Sequence, residues 1–138
     1  MSHYTKFLPP EDMPTFHRPF WDSVAAHQAA IQKCAECGTF RFIPREICPQ
    51  CHSMEAEWTP ISGKGEVYTY TIVHRAPTPA YQADVPYVIA HVVLEEGPRM
   101  IANLTDIAIE EVRIGLPVVI TYSDVADGKS LFGFKPAD

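Results

Sequence analysis

The chain of 138 residues is 46% hydrophobic and 20% charged, which is typical of a soluble globular protein with one domain, or one small domain and an appendage. Its 17 acidic residues outnumber 11 basic ones, giving a net charge of −6 with histidine neutral; this disfavours nucleic acid as a partner, because Lys and Arg supply most of the non-specific affinity for phosphates. No segment approaches the roughly 20 apolar residues that cross a bilayer, and the first residues do not resemble a signal peptide. We therefore expect no membrane partner and a cytoplasmic location, where disulfides are uncommon.

Residues 1–30 are predicted to form an N-terminal arm and a helix. Prolines punctuate the start of this segment, which is expected to be extended. Over residues 13–32, Phe16, Phe20 and Val24 are spaced four apart, so they form one apolar stripe on a helix. We expect this stripe to pack on the chain's own domain. Docking on another subunit is the alternative, because the cysteine-rich segment that follows offers little apolar surface.

Every cysteine of the chain lies in the segment CAECGTFRFIPREICPQC, as two Cys-x-x-Cys pairs. Cys34 pairs with Cys37, and Cys48 with Cys51. A tight Cys-x-x-Cys turn places two sulfurs on one side of a metal ion, and two such turns complete the tetrahedral four-sulfur shell of a structural zinc site. The spacing predicts a zinc ribbon over residues 31–61 with one zinc per chain. The zinc is structural, because a closed shell leaves no position for water or substrate.

Other uses of these thiols agree less well with the sequence. A redox-active Cys-x-x-Cys pair opens a helix after a strand, and two disulfides would require an oxidising compartment. Iron can occupy the same four thiolates, as in rubredoxin-type centres, and the sequence leaves that alternative open. His52 follows the last cysteine, and we interpret it as an exposed turn residue, since four ligands already fill the shell.

Residues 62–138 are predicted to form a small β-barrel, because five segments rich in β-branched and aromatic residues are separated by turn signals. The five predicted strands are GEVYTYTIVH (65–74), PYVIAHVVLEEG (86–97), RMIANLTD (99–106), LPVVITYSDV (116–125) and KSLFGFKP (129–136). A connector with one helical turn is expected between the third and fourth strands. This is the element order of an OB-fold, a partly open Greek-key barrel. The predicted fold class is therefore mainly β, with an N-terminal helix, a rubredoxin-like zinc ribbon and a five-stranded OB-fold barrel.

With these elements in this order, the chain resembles the small zinc-ribbon/OB-fold proteins of the DUF35 family. The resemblance covers nearly the whole chain and rests on PFWDSV, CAECGTFRFIPREICPQCHS, GKGEVYTYTIVHRAP, VPYVIAHVVLEEG and IGLPVVITY. It implies an accessory subunit of a thiolase-like enzyme, including β-oxidation-type enzymes, steroid side-chain aldolases and a thiolase/HMG-CoA synthase assembly. Such a subunit holds or channels acyl-CoA, or completes the partner's substrate pocket.

The resemblance also implies roles for particular residues. Cys34, Cys37, Cys48 and Cys51 carry over as zinc ligands. No catalytic residue carries over, because the nucleophilic cysteine of thiolase chemistry belongs to the partner. The chain is therefore not expected to be catalytic alone.

Basic and aromatic residues are the candidate contacts to an acyl-CoA or to the partner, because phosphates require Arg or Lys and adenine requires an aromatic surface. The candidates near predicted strand ends are Lys64, Tyr70, Arg75, Tyr81, Tyr87 and Arg99. Each taken singly is better explained as a solvated charge or as a core or rim tyrosine. The loop Arg75–Pro86 as a whole is a better candidate, because loops of about a dozen residues are uncommon in compact domains and are often functional.

Single-stranded nucleic acid binding is the alternative function, since OB-folds combine a basic groove with stacked aromatic residues. Tyr68, Tyr70, Phe132 and Phe134 are the aromatic residues that could stack on bases. The excess of acidic residues argues against this alternative.

Overall fold

The computed structural model describes residues 11–137, within which no helix is long and apolar enough to cross a membrane. Its helix is α1 (Arg18–Ala25), and its strands are β1 (Ala30–Cys34), β2 (Phe40–Arg41), β3 (Ala56–Pro60), β4 (Lys64–Val73), β5 (Tyr87–Leu94), β6 (Arg99–Leu104), β7 (Pro117–Ala126) and β8 (Lys129–Pro136). Short 3-10 helices cover Pro79–Tyr81 and Ile109–Glu111. Most of the predicted N-terminal arm lies outside the described residues.

The predicted fold class is confirmed: a short helix precedes a cysteine-bearing ribbon, and a closed five-stranded barrel follows. All five predicted barrel strands form, and the helical turn between the third and fourth is the 3-10 helix Ile109–Glu111. The division of the chain into 1–30, 31–61 and 62–138 stays a prediction.

Helix α1 buries its apolar stripe against the rest of the chain, chiefly on β8, β1 and β7. Phe20 and Val24 are fully buried members of the main core. Pro19 lies in the first turn, where the N–H that proline lacks would have no partner within the helix. The prediction that the stripe packs internally is confirmed for Phe20 and Val24, whereas Phe16 lies before the helix and is half-buried.

The predicted extent of this helix, over residues 13–32, is wrong. The helix ends at Ala25, because His27 adopts a positive φ of 60°. The N–H of Gln28 then donates to the carbonyl of Ser23 at 3.0 Å, which is the hydrogen bond of a Schellman motif. The chain leaves the helix there and continues into β1.

The ribbon is a three-stranded antiparallel sheet in the order β2-β1-β3. β1 pairs with β3 from Ala30 opposite Pro60 to Cys34 opposite Ala56. On its other side it pairs with the two-residue strand β2, where Gln32 lies opposite Arg41. The first cysteine pair therefore follows directly from the central strand of this sheet.

The barrel has the strand order β4-β5-β6-β8-β7, and β7 returns to β4 to close it. Its neighbours are antiparallel except β6 and β8, which are joined in parallel by one residue pair, Leu104 with Phe134. β5 alternates strictly, and its inward side chains are fully buried. The buried residues of the barrel core are Val67, Val88, Ala90, Val92, Leu94, Met100, Leu104, Val118 and Phe134.

A cluster of side chains attaches the end of α1 to the barrel. The carboxylate of Asp124 accepts a hydrogen bond from Ser130 Oγ at 2.5 Å and lies 2.7 Å from His27 Nε2. These two contacts, Ser130 first, hold the pKa of Asp124 below its usual value. The His27 ring stacks on Tyr122 with 5.3 Å between centroids, and Tyr122 Oη accepts the N–H of Ala29 at 2.7 Å. This cluster fixes the direction in which the chain enters the ribbon.

Candidate metal centre and ligand cleft

Two similar turns carry the four cysteines. In the first turn, the N–H of Gly38 donates to the backbone carbonyl of Cys34 at 3.0 Å. In the second, the N–H of His52 donates to the backbone carbonyl of Cys48 at 2.9 Å. Gly38 and His52 both have positive φ, 76° and 65°. The predicted turn role of His52 is confirmed, because its side chain is exposed and the group of possible metal ligands consists of the cysteines alone.

The sulfur atoms meet the geometric requirement of a metal site. A tetrahedral shell with Zn–S bonds of about 2.3 Å places its sulfurs roughly 3.8 Å apart. The Sγ atoms of Cys34 and Cys51 are 3.5 Å apart, those of Cys37 and Cys48 are 3.6 Å apart, and all four lie within 4.8 Å of one another. The four cysteines are thus placed to bind one metal ion, and the donor set and spacing match a structural zinc.

Backbone N–H groups favour the thiolate form that a metal requires. The N–H groups of Cys37 and then Glu36 lower the pKa of the Cys34 thiol to about 6. The N–H of Cys51 is the main cause of the lowered pKa of Cys48. The pKa of Cys51 is raised to about 12: the N–H of Ser53 favours its thiolate, but hydrogen bonding to the other three cysteines, Cys34 first, and desolvation outweigh it. A bound cation deprotonates the thiols that coordinate it, whatever their pKa without metal.

An open cleft of about 1130 Å³ lies where the ribbon, α1 and the barrel meet. One wall is the ribbon segment 38–45, which joins the two cysteine turns. The floor is aromatic: Phe20 contacts Phe42 and Phe132, with ring centroids 4.9 and 5.6 Å apart. The opposite wall belongs to β5, β6 and the turn between them. No single element therefore forms this cleft.

Arg41 lines the cleft and is held rigidly, with only 5% of its surface exposed. Its Nε donates to Gln32 Oε1 at 3.0 Å, and its Nη2 donates to the carbonyl of Arg45 at 3.1 Å. Gln32 Oε1 also accepts the N–H of Arg45 at 2.7 Å. The third guanidinium nitrogen, Nη1, is buried without a hydrogen-bond partner. A buried charged donor without a partner is costly, so this atom requires an explanation.

The six candidate contact residues do not converge. Arg99 lines the cleft, with its guanidinium 4.6 Å above the ring of Tyr68. Tyr81 and Tyr87 lie together elsewhere, with ring centroids 5.9 Å apart. The other three do not line the cleft: Lys64 and Arg75 are exposed at the two ends of β4, and Tyr70 is half-buried against the core. Their roles in binding stay predictions.

The four aromatic residues considered for stacking on nucleic acid bases lie in different environments. Phe134 is completely buried in the barrel core, so it cannot stack on a base. Phe132 packs against α1. A β-bulge between Val67 and Thr69 leaves Tyr68 on the outer surface while Tyr70 packs inward. The prediction that Phe134 could stack on a base is therefore wrong.

Sequence analysis missed the cleft residues Arg41 and Arg45. The sequence feature that could have indicated them is RFIPR, in which two arginines lie four residues apart between the cysteine pairs of an acidic chain. That both would face a barrel wall some 50 residues away in sequence could not be seen from this segment.

The fold and the four-cysteine cluster together define a zinc-ribbon/OB-fold protein, and comparison with known families agrees. Residues 30–55 match the rubredoxin-like zinc ribbon domain of ChsH2, and residues 58–123 match its C-terminal OB-fold domain. A DUF35 domain-containing scaffold protein of Methanocaldococcus jannaschii is 43% identical over 75% of this chain and 76% of its own length. The chain therefore belongs to the DUF35 family.

Other relatives carry functional names. A probable enoyl-CoA hydratase alpha subunit of Thermomonospora curvata is 38% identical over 86% of this chain, which spans 37% of that subunit's length. The benzoylsuccinyl-CoA thiolase subunit BbsA of Geobacter metallireducens is 33% identical over 52% of this chain and 47% of its own length. A solved structure described as an Ltp2-ChsH2(DUF35) aldolase matches with a TM-score of 0.85 and 34% identity, covering 94% of this chain and 100% of that one.

Proposed function

We propose that this protein is a non-catalytic accessory subunit of a thiolase-like acyl-CoA enzyme, in which it holds or channels acyl-CoA or completes the partner's substrate pocket. The observation that carries the proposal is the naming of the relatives: one is a probable enoyl-CoA hydratase alpha subunit, another is a benzoylsuccinyl-CoA thiolase subunit, and a similar solved structure is described as an Ltp2-ChsH2(DUF35) aldolase. The arrangement of the thiols agrees with this role. Every cysteine of the chain lies in the metal cluster, so thiol chemistry on an acyl group would have to come from a partner.

The ribbon is the part of the described chain best suited to contact that partner. Ile43 and Ile47, in the segment between the cysteine turns, expose 56% and 49% of their surface, and Met54 just beyond the second turn exposes 67%. Exposed apolar side chains that cluster on one structural element mark interaction surfaces more often than isolated ones do. The stripe of α1, in contrast, is already buried in this chain, which leaves the ribbon and the loop Arg75–Pro86 as the candidate surfaces.

Affinity purification from the native host tests this assignment. We expect a thiolase-like subunit to co-purify, and we expect the variant Ile43→Asp/Ile47→Asp to lose it. Ile114→Asp is the matched control, because Ile114 is 68% exposed but lies just before β7, away from the ribbon. Recovery of the chain without a thiolase-like protein contradicts the proposal, as does acyl-CoA turnover by the isolated chain.

Metal content is tested separately. Protein purified without added metal should contain one zinc per chain, and Cys48→Ala should remove it together with the fold of the ribbon, because structural zinc sites supply folding free energy directly. One iron per chain, with visible absorbance, would instead identify a rubredoxin-type centre.

A further inference from the structure

Arg41 is the one buried charged side chain among residues 11–137. Both groups that accept its hydrogen bonds, Gln32 Oε1 and the carbonyl of Arg45, are neutral, and its Nη1 has no acceptor. No carboxylate of the described chain forms an ion pair with it. A buried charge is nearly always paired with an opposite one, because removing it from water is otherwise costly. Arg41 therefore requires a counter-charge that its present neighbours do not supply.

The complementary atom lies on the opposite wall of the same cleft. Glu96 is the one acidic side chain among the described residues that line it, and its Oε1 is buried without a hydrogen-bond partner. Nη1 of Arg41 and Oε1 of Glu96 are the two buried side-chain polar atoms of residues 11–137 that lack a partner. Arg45 and Arg99 also line the cleft, but both are exposed, so water solvates their charges. Since buried polar groups nearly always find partners, the orphaned donor and the orphaned acceptor are suited to each other.

These two atoms belong to parts of the chain that a narrow junction connects. Outside the ribbon, the ribbon strands pack mainly on α1 rather than on a barrel strand. Ile61 still belongs to the ribbon, because its N–H donates to the carbonyl of Ala29 at 3.0 Å. The carbonyl of Gly63 already belongs to the barrel, because it accepts an N–H from β7 at 2.8 Å. Ser62 lies between them, so a rotation at this residue moves the ribbon relative to the barrel without breaking a strand pair.

Glu96 also contacts this junction. Its Oε2 accepts the N–H of Ser62 at 2.9 Å, so the carboxylate that faces the cleft is held next to the residue about which the ribbon would turn. The neighbouring Glu95 accepts Ser62 Oγ at 3.4 Å but does not line the cleft. Of the two carboxylates at the junction, only Glu96 is therefore placed to receive a group from the ribbon.

We propose that Arg41 and Glu96 form a latch between the ribbon and the barrel. A small rotation of the ribbon about Ser62 brings Arg41 Nη1 to Glu96 Oε1, where it donates a charge-assisted hydrogen bond, and narrows the cleft of about 1130 Å³. Both atoms are already shielded from water, so their pairing requires little further desolvation. This closed arrangement is the resting state of the free chain, and the open arrangement is the state in which the cleft admits another molecule. The latch does not depend on the proposed function.

A double-mutant cycle on the zinc-loaded full chain tests the ion pair. Arg41→Gln, Glu96→Gln and the double variant are compared with the wild type by urea unfolding at a fixed excess of zinc. The folding equilibrium constant of the double variant should exceed the product of the two single effects by at least about fivefold, because the second substitution removes a pair that the first has already broken. Arg41→Lys should retain part of this coupling with Glu96, because it keeps the charge.

Glu95→Gln is the matched control. Glu95 is an exposed carboxylate next to Glu96 that contacts the same junction residue. The cycle of Arg41→Gln with Glu95→Gln should be additive within about twofold. Zinc content is measured for every variant, because the contacts of Arg41 to Gln32 and Arg45 also support the ribbon.

Residual dipolar couplings of the backbone amides test the closure, because they report the orientation of the ribbon relative to the barrel. In the wild type, the couplings of β1 and β3 should fit the alignment of the barrel only after the ribbon is rotated from its orientation in the present structure. In Glu96→Gln they should fit without rotation, since glutamine still offers Ser62 an acceptor but carries no charge for Arg41. Glu95→Gln should behave as the wild type. If Arg41→Gln loses its zinc, this comparison decides alone.

Two results overturn the proposal. A cycle of Arg41→Gln with Glu96→Gln that is additive within about twofold, in variants that keep their zinc, shows that the two groups do not pair. Ribbon couplings that fit the present orientation in the wild type show that the ribbon does not close, even if the cycle detects coupling. Neither experiment uses a partner protein or an acyl-CoA, so failure of the latch and failure of the proposed function are distinguishable.

Discussion

Replacing His52 by glycine should stabilise the metal-loaded protein. His52 and Gly38 occupy equivalent positions after the two cysteine pairs, with φ of 65° and 76° and the same backbone hydrogen bond. The left-handed conformation costs a residue other than glycine about 1–2 kcal/mol. Glycine in turn loses about 0.5–1 kcal/mol more backbone entropy on folding. The side chain of His52 is exposed and makes no hydrogen bond to the described part of the chain, so the difference, a gain of about 0.5–1 kcal/mol, should appear undiminished.

Guanidinium chloride unfolding at a fixed excess of zinc is the appropriate assay, because unfolding releases the metal. The unfolding midpoint should rise, and the thermal midpoint should rise by about 2–3 °C for a chain of this size. Gly38→Ala is the matched control. A Cβ at Gly38 would meet nothing closer than Lys33 Cε at 4.0 Å, so it adds backbone strain without a clash and should destabilise by a similar amount.

An unchanged or lower stability of His52→Gly, with zinc content preserved, would refute this reasoning. It would mean that the second turn relaxes away from positive φ in solution, or that the histidine ring makes a favourable contact that outweighs the strain. If Gly38→Ala left the free energy of unfolding unchanged, the positive φ of the first turn would likewise carry no strain.

Three further predictions concern the barrel. Phe134→Ala should destabilise the protein by about 3–5 kcal/mol in urea unfolding, because it empties a fully buried site at the junction of β6 and β8. Gly65→Ala should cost about 1–3 kcal/mol in the same assay, because its Cβ would lie 2.5 Å from the carbonyl oxygen of Val93. The folded-state pKa of Asp124 is lowered by Ser130 and His27, so its contribution to stability is present above the unfolded pKa of about 3.9 and is lost as the pH falls through the folded value. The difference in unfolding midpoint between wild type and Asp124→Asn should therefore shrink below about pH 4.

Each of these has a result that contradicts it. If the stability of Phe134→Ala were close to that of the wild type, the pair of Leu104 and Phe134 between β6 and β8 would not be packed as described. A tolerated Cβ at position 65 would require β4 and β5 to separate locally. A wild-type-minus-variant difference that is constant from pH 3 to 7 would show that the carboxylate of Asp124 gains nothing from its neighbours in the folded state.

The metal site and the barrel strands could be predicted because their signals are local. Two Cys-x-x-Cys turns contain the whole ligand set, and the alternation along β5 requires no knowledge of its neighbours. The turn at Asp127-Gly128 is specified by the two residues themselves. In these segments the conformation that the local sequence prefers is also the one found in the fold, as is usual in natural proteins.

The helix was predicted too long because its apolar stripe does not mark an end, and the alanine-rich stretch after Val24 is compatible with a helix. Tertiary contacts favour the end of the helix: the N–H of Ala30 donates to Ser23 Oγ at 2.9 Å, and Ala30 pairs with Pro60 on β3. Strand pairing over 30 residues of sequence outweighs a local preference worth a few tenths of a kcal/mol per residue. The ribbon sheet was missed for the same reason, because β1 and β3 lie on either side of the cysteine segment.

The cleft could not be predicted, because its parts come from three separate elements. From the sequence alone, Arg41 is an ordinary charged residue in a short hairpin, and Glu96 is part of a turn. Only the packing of the ribbon against the barrel and α1 shows that both side chains are buried and incompletely paired.

The junction between β6 and β8 is the weakest strand pairing of the barrel, because a single residue pair joins the two strands. The long ladders between β4, β5 and β6, and between β7 and β8, each involve several consecutive residues, whereas this junction has one. Breathing motions should therefore begin there and leave the ladders intact. The amide of Thr105 donates to the carbonyl of Phe134 across this junction. In hydrogen–deuterium exchange it should be labelled well before the amides of β5, because the barrel opens locally between β6 and β8 before its long ladders separate.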